Sequence, residues 1–106
     1  MNMDSLKDLI FEGQRFKDNP EVDYFDKPAF VNETLREDFL VWARKVLTYI
    51  EAKQPNSENG KDIRERLRID QERCHIETYQ LIMSIIKSMN NVEGQKEQKP
   101  QKAKRN

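Results

Sequence analysis

Residues 38–50 read DFLVWARKVLTYI. Leu35, Phe39, Trp42, Ala43, Val46 and Ile50 recur at i, i+4, i+7, i+8, i+11 and i+15. That spacing lines side chains along one face of an α-helix. Leu40 and Leu47 widen the stripe, and Arg36, Glu37, Asp38, Arg44, Lys45 and Glu51 occupy the opposite face. A helix with one broad apolar face has to bury it against other elements. The pattern predicts a helix over 30–53. Thr34 and Glu37 have capping-box spacing, one start signal, and an earlier start near Phe30 fits equally. KQPNSENG at 53–60 stops the helix, with Pro55 and Gly60 as breakers.

Upstream, DSLKDLIFEGQRFK at 4–17 predicts a first helix. Asp4 or Ser5 can cap it, and Leu6, Leu9, Ile10 and Phe16 form its apolar stripe. Gly13 falls on that stripe, where glycine costs about 1 kcal/mol relative to alanine, so close approach of another helix is expected there. DNP at 18–20 ends the element, because a proline disfavours helix at the residue before it. DNPEVDYFDKPA at 18–29 reads as a connector lying across the bundle with one aromatic tucked in. Asp26 and Pro28 read as a helix entry.

Downstream, Ile63, Leu67, Cys74, Thr78, Leu81, Ile82, Ile85, Ile86 and Met89 fit one helical stripe over 60–91 that lapses at IDQER, 69–73. Two helices are expected, since a compact bundle needs the chain to fold back, and Asp70 is placed to cap the second. Strand signals, internal repeats and a glycine-rich phosphate loop are absent from the sequence. The fold class predicted is all-α: a compact three- to four-helix bundle over 1–93, followed by a disordered basic tail over 94–106.

The 106 residues, 36% apolar and 36% charged, suit one small domain with a modest core. The formal charge is zero but unevenly placed. From residue 95 onward there are five basic residues and one acidic one; the remainder has fourteen basic and eighteen acidic. An acidic body argues against a nucleic-acid-binding core, so nucleic acid is expected only through the tail. Neither a cofactor nor a metal is expected, since one Cys and one His cannot supply the four ligands of a structural zinc site. No apolar run approaches the ~20 residues of a membrane span, and MNMDSLKDLI lacks the basic-then-apolar order of a signal peptide. A cytoplasmic location is the expectation.

RLRIDQERCHIE at 66–77 holds the one histidine and the one cysteine. The spacing of Arg68 and His75 resembles that of the HEPN-type helical ribonucleases. That resemblance implies a histidine acting on the attacking 2′-hydroxyl and an arginine on the scissile phosphate. In one continuous helix the two would sit about 10.5 Å apart along the axis, so convergence needs the break near Asp70. Ile69 departs from that pattern, in which a polar residue usually follows the arginine. The plainer reading is a mixed-charge face with His75 at its edge. Cys74 reads as a small buried hydrophobe, Trp42 as core, and KDIRERLR at 61–68 as a solvated face laced with ion pairs.

DLIFEGQRF, the acidic aromatic connector, DFLVWARKVLTYI and TYQLIMSIIKSM together resemble the small N-terminal helical domain of AbiTii-type abortive-infection proteins and related bacterial and phage proteins. The matching positions are Leu9, Glu12, Gly13 and Phe16; Phe39, Trp42, Val46 and Leu47; and Tyr79, Leu81, Ile82 and Ile86. The resemblance spans roughly 6–90. It implies an auxiliary module without catalytic residues that engages other proteins, as a regulator or inhibitor in phage–host conflict or as a self-associating adaptor. The expected function is therefore non-enzymatic binding of another protein or of a second copy. Phe11 and Phe25, off the main stripes, and the helix-start segment at Phe30 and Val31 are the expected contact residues.

Overall fold

The computed structural model describes the backbone of residues 5–103 and the side chains of 5–92. Its elements are α1 (Leu6–Gly13), β1 (Glu21–Val22), β2 (Pro28–Phe30), α2 (Arg36–Lys53), α3 (Glu58–Ile69) and α4 (Ile76–Ala103). The fold is an all-α bundle of four helices among the described residues, with a small two-stranded hairpin on its flank. The expected disordered tail over 94–106 falls on residues whose side chains lie outside the described ones; the backbone of α4 is followed to Ala103.

Each helix start has a local cause. Ser5 caps α1: its hydroxyl accepts from the Asp8 N–H at 3.2 Å and the Asp8 carboxylate accepts from the Ser5 N–H at 3.3 Å, a reciprocal box. The chain then tightens into a 3-10 turn, Gln14–Lys17. The start of the second helix differs from the Thr34–Glu37 box. Asn32 accepts from the Thr34 N–H at 2.9 Å and opens a 3-10 turn, Glu33–Leu35, from which α2 continues. Ser57 accepts from the Gly60 N–H at 3.0 Å and caps α3. Gly60 is thus a buried first-turn residue and not a breaker; Asn56, in the left-handed region at φ 64°, turns the chain.

The core joins all four helices. Leu6, Leu9 and Phe16 meet Phe39, Trp42, Val46 and Ile50 of α2, Ile63 of α3, and Tyr79, Ile82 and Ile86 of α4. Phe16, Phe39 and Trp42 form an aromatic cluster with ring centroids 5.4–5.7 Å apart, and Tyr79 extends it at 6.1 Å from Trp42. The buried indole N–H donates to the Leu9 carbonyl at 2.8 Å, so burial of Trp42 leaves no orphan donor. Outside the core, Lys45 meets both carboxylate oxygens of Glu12 at 3.0 Å, and Arg15 pairs with Asp38.

The break in the last helical stretch stands where the stripe lapsed: α3 ends at Ile69 and α4 begins at Ile76. The connector differs from expectation. Pro28 opens a strand and not a helix, and β1 pairs antiparallel with β2 through Glu21↔Phe30 and Val22↔Pro28. No aromatic of the turn is tucked in, because Tyr24 and Phe25 both face outward. β2 is held on its other side by the 70–75 turn, through a Phe30↔His75 bridge and a Val31 N–H to Cys74 carbonyl bond of 2.8 Å.

Candidate functional site

Two features are organised by a carboxylate: the hairpin tip, and the turn between α3 and α4, whose Asp70 and Cys74 are buried. The tip is built by Asp23. Its Oδ1 accepts from the Phe25 N–H at 2.8 Å and the Lys27 N–H at 3.1 Å. The Asp23 N–H donates to the Lys27 carbonyl at 2.8 Å, and the Asp26 N–H to the Asp23 carbonyl at 3.0 Å. Asp26 sits at φ 61°, in the left-handed region that Asp tolerates better than most residues. A closed turn thus displays Tyr24 and Phe25, which are 95% and 74% exposed. Their rings stand edge to face with centroids 5.5 Å apart. Val22, 51% exposed, continues the apolar surface along β1.

The 70–75 turn is organised by a carboxylate. Asp70 is fully buried. Its Oδ2 accepts from the His75 backbone N–H at 3.0 Å, and its Oδ1 faces His75 Nδ1 at 2.8 Å. A carboxylate only accepts, so Nδ1 donates and the imidazole is fixed in one orientation. Asp70 was expected to cap α4. It closes the turn one residue earlier, and the His75 carbonyl takes the Thr78 and Tyr79 N–H groups. The Phe30 ring lies 5.2 Å from the His75 ring, and the Arg73 guanidinium lies 3.9 Å over Phe30. Arg73 also pairs with Glu21 at 2.5 Å. Glu21 in turn accepts from the Glu33 N–H at 3.0 Å. The Glu33 amide first, and then Arg73, hold its carboxyl below the usual 4.5.

The expected contact residues divide. Phe11 is 80% exposed on α1 and Phe25 stands at the hairpin tip. Val31 is 2% exposed and offers no surface: it directly follows β2, and its own N–H bonds to the Cys74 carbonyl. Phe30 is half-buried between His75 and Arg73. Tyr24, the most exposed aromatic among the described residues, neighbours Phe25 in the DYFD run between β1 and β2.

Arg68 and His75 do not come together. Arg68 is engaged by Glu65 one turn back, with contacts of 3.2 and 2.5 Å, and the pair lowers the Glu65 pKa and raises that of Arg68. No hydrogen bond, ion pair or ring contact joins Arg68 to His75 among the described residues. With Arg64 on Glu51, the 61–68 face is the ion-pair-laced surface its composition suggested. Cys74 is buried, and burial pushes its thiol up to about 11, which removes it as a nucleophile at neutral pH. No group of three or more His, Cys, Asp or Glu side chains suited to a metal occurs among the described residues. None of the described helices is long and apolar enough to cross a membrane.

Comparison with protein-family models, with curated proteins and with solved structures returns no match.

Proposed function

We propose that this chain is a non-enzymatic interaction module of a bacterium or phage that binds another protein through the hairpin tip. The observation that carries this reading is the exposure of Tyr24 and Phe25 on a turn closed by its own hydrogen bonds. Exposed aromatics are enriched among the residues that dominate binding energy. A turn that is already ordered loses little further entropy on docking. Phe11 on α1 is a second, separate exposed aromatic and serves as an auxiliary contact. A role as regulator or inhibitor in phage–host conflict is supported by the resemblance to AbiTii-type modules, whose matching positions are mostly the core residues of α1, α2 and α4.

The test is affinity capture from a bacterial lysate with the wild-type chain and with a Tyr24→Ser/Phe25→Ser variant. One stoichiometric protein captured by the wild type and lost with the variant is expected. Equal capture by both, with the variant folded, would remove the hairpin tip from the reading.

A further inference from the structure

We infer that the tip's partner is a protein whose apolar cleft is rimmed by basic side chains. This rests on the reading of the tip as a docking element and adds the chemistry of what it docks into. From residue 18 to 27 the sequence holds four acidic residues and one basic one, Lys27, which closes the turn with Asp23. Glu21 is matched by Arg73 and Asp18 lies beside Lys17. The two acidic residues that flank the rings, Asp23 and Asp26, have no ion pair among the described residues. Asp23 spends one oxygen on backbone N–H groups, which leaves its charge in place.

The tip is therefore two adjoining aromatic rings between two carboxylates. A cleft that buried the rings would bring its rim against those carboxylates, and a basic rim complements their charge. The same charges disfavour the other occupants. Two copies meeting tip to tip would oppose like charges. An anionic bilayer or a nucleic acid would be repelled before the rings reached it.

The neutralising substitutions are mild. Asp23→Asn keeps an Oδ1 to accept from Phe25 and Lys27, and Asp26→Asn suits the left-handed φ as well as Asp does. The experiment pans a random-peptide display library on the full chain, with counter-selection on the Tyr24→Ser/Phe25→Ser variant. Selected peptides are then titrated against the wild type and the Asp23→Asn/Asp26→Asn variant at low and physiological salt. Enriched peptides should be net basic with large apolar residues, and neutralisation should weaken them about tenfold, with most of that difference lost in salt. Peptides without basic bias, or affinities unmoved by neutralisation, overturn the charge inference and leave docking through the tip standing. Failure to enrich any peptide dependent on Tyr24 and Phe25 overturns both. In parallel, vesicles rich in phosphatidylglycerol and sedimentation of the chain alone test the other occupants. Tip-dependent retention on vesicles, or a tip-dependent dimer, overturns the inference. Unchanged thermal unfolding and retained exchange protection of the backbone amides at positions 23 and 26, which donate to backbone carbonyls, show in the neutralised variant that the turn has survived.

Discussion

Gly13 lies against the six-membered ring of Trp42: a Cβ built on Gly13 would meet Cζ2 first and stand 2.8 Å from Cε2. The glycine has an ordinary helical φ of −73°, so the requirement is space and not backbone freedom. Two effects oppose one another in Gly13→Ala. Helix propensity favours alanine by about 1 kcal/mol. Overpacking against a ring held by three aromatic neighbours and a hydrogen bond costs about 1–3 kcal/mol. Because Trp42 cannot retreat, we expect net destabilisation of up to about 2 kcal/mol by denaturant unfolding. A more stable variant would show that the α1–α2 contact is looser than described.

Asp70 is the keystone of the turn between α3 and α4. Asp70→Ala leaves the His75 N–H and Nδ1 without their buried acceptor, at a cost of about 2–3 kcal/mol. Asp70→Asn retains one acceptor and should cost less. Equal losses for the two substitutions would mean that the hydrogen bonds to His75 contribute little.

Cys74 gives a pH signature. Its folded pKa, about 11, lies above the usual 9.0 because burial penalises the thiolate. Below 9 both states keep the proton. Between the two values only the unfolded state ionises, so stability falls as pH rises through that window. Alkylation of the native protein at pH 8 should be slow and limited by unfolding. Rapid modification without unfolding would contradict the buried placement.

Glu21 acts at the opposite end of the scale. Its folded pKa is depressed below 4.5 by the Glu33 amide and Arg73. The stabilisation is complete above the unfolded value and is lost as pH falls through the folded one. The Glu33 amide resonance should follow this titration in NMR, with a midpoint under 4.5. A midpoint at or above that value would dissolve the Glu21–Glu33 contact.

The hairpin tip should be neutral for stability. Tyr24 and Phe25 make their ring contact with one another and face solvent otherwise. Tyr24→Ser/Phe25→Ser should leave the unfolding free energy within about 0.5 kcal/mol of wild type. A larger loss would show a packing role and weaken the binding interpretation.

The helices were legible because their stripes are long. α2 alone places Phe39, Trp42, Val46 and Ile50 on one side, and burial follows the stripe. The interruption before α4 was legible as a lapse of apolar period, although neither Gly nor Pro marks it. The hairpin was not legible. Strands of two and three residues, one opening on Pro28, carry no alternation to read, and their pairing depends on a turn 45 residues further on. That distant pairing also holds Val31 in the core outside any helix. The exposure of Phe25 was legible because it fits no stripe. The Arg68–His75 spacing carried no information about Glu65 and Asp70, whose carboxylates engage these two side chains. The local signal that mattered was the acidic residue at 70, which was read as a helix cap.

The Phe30↔His75 bridge has a consequence for the order in which the molecule is made. A ribosome delivers the hairpin residues well before the turn that secures them. Until Cys74 and His75 have left the exit tunnel, β2 has no second edge to lean on, and Val31 has no carbonyl to meet. Contacts so far apart along the chain form late, so the nascent protein first shows its two aromatic rings on a hairpin that lacks its second edge, and on a fixed mount only once the 70–75 turn has emerged.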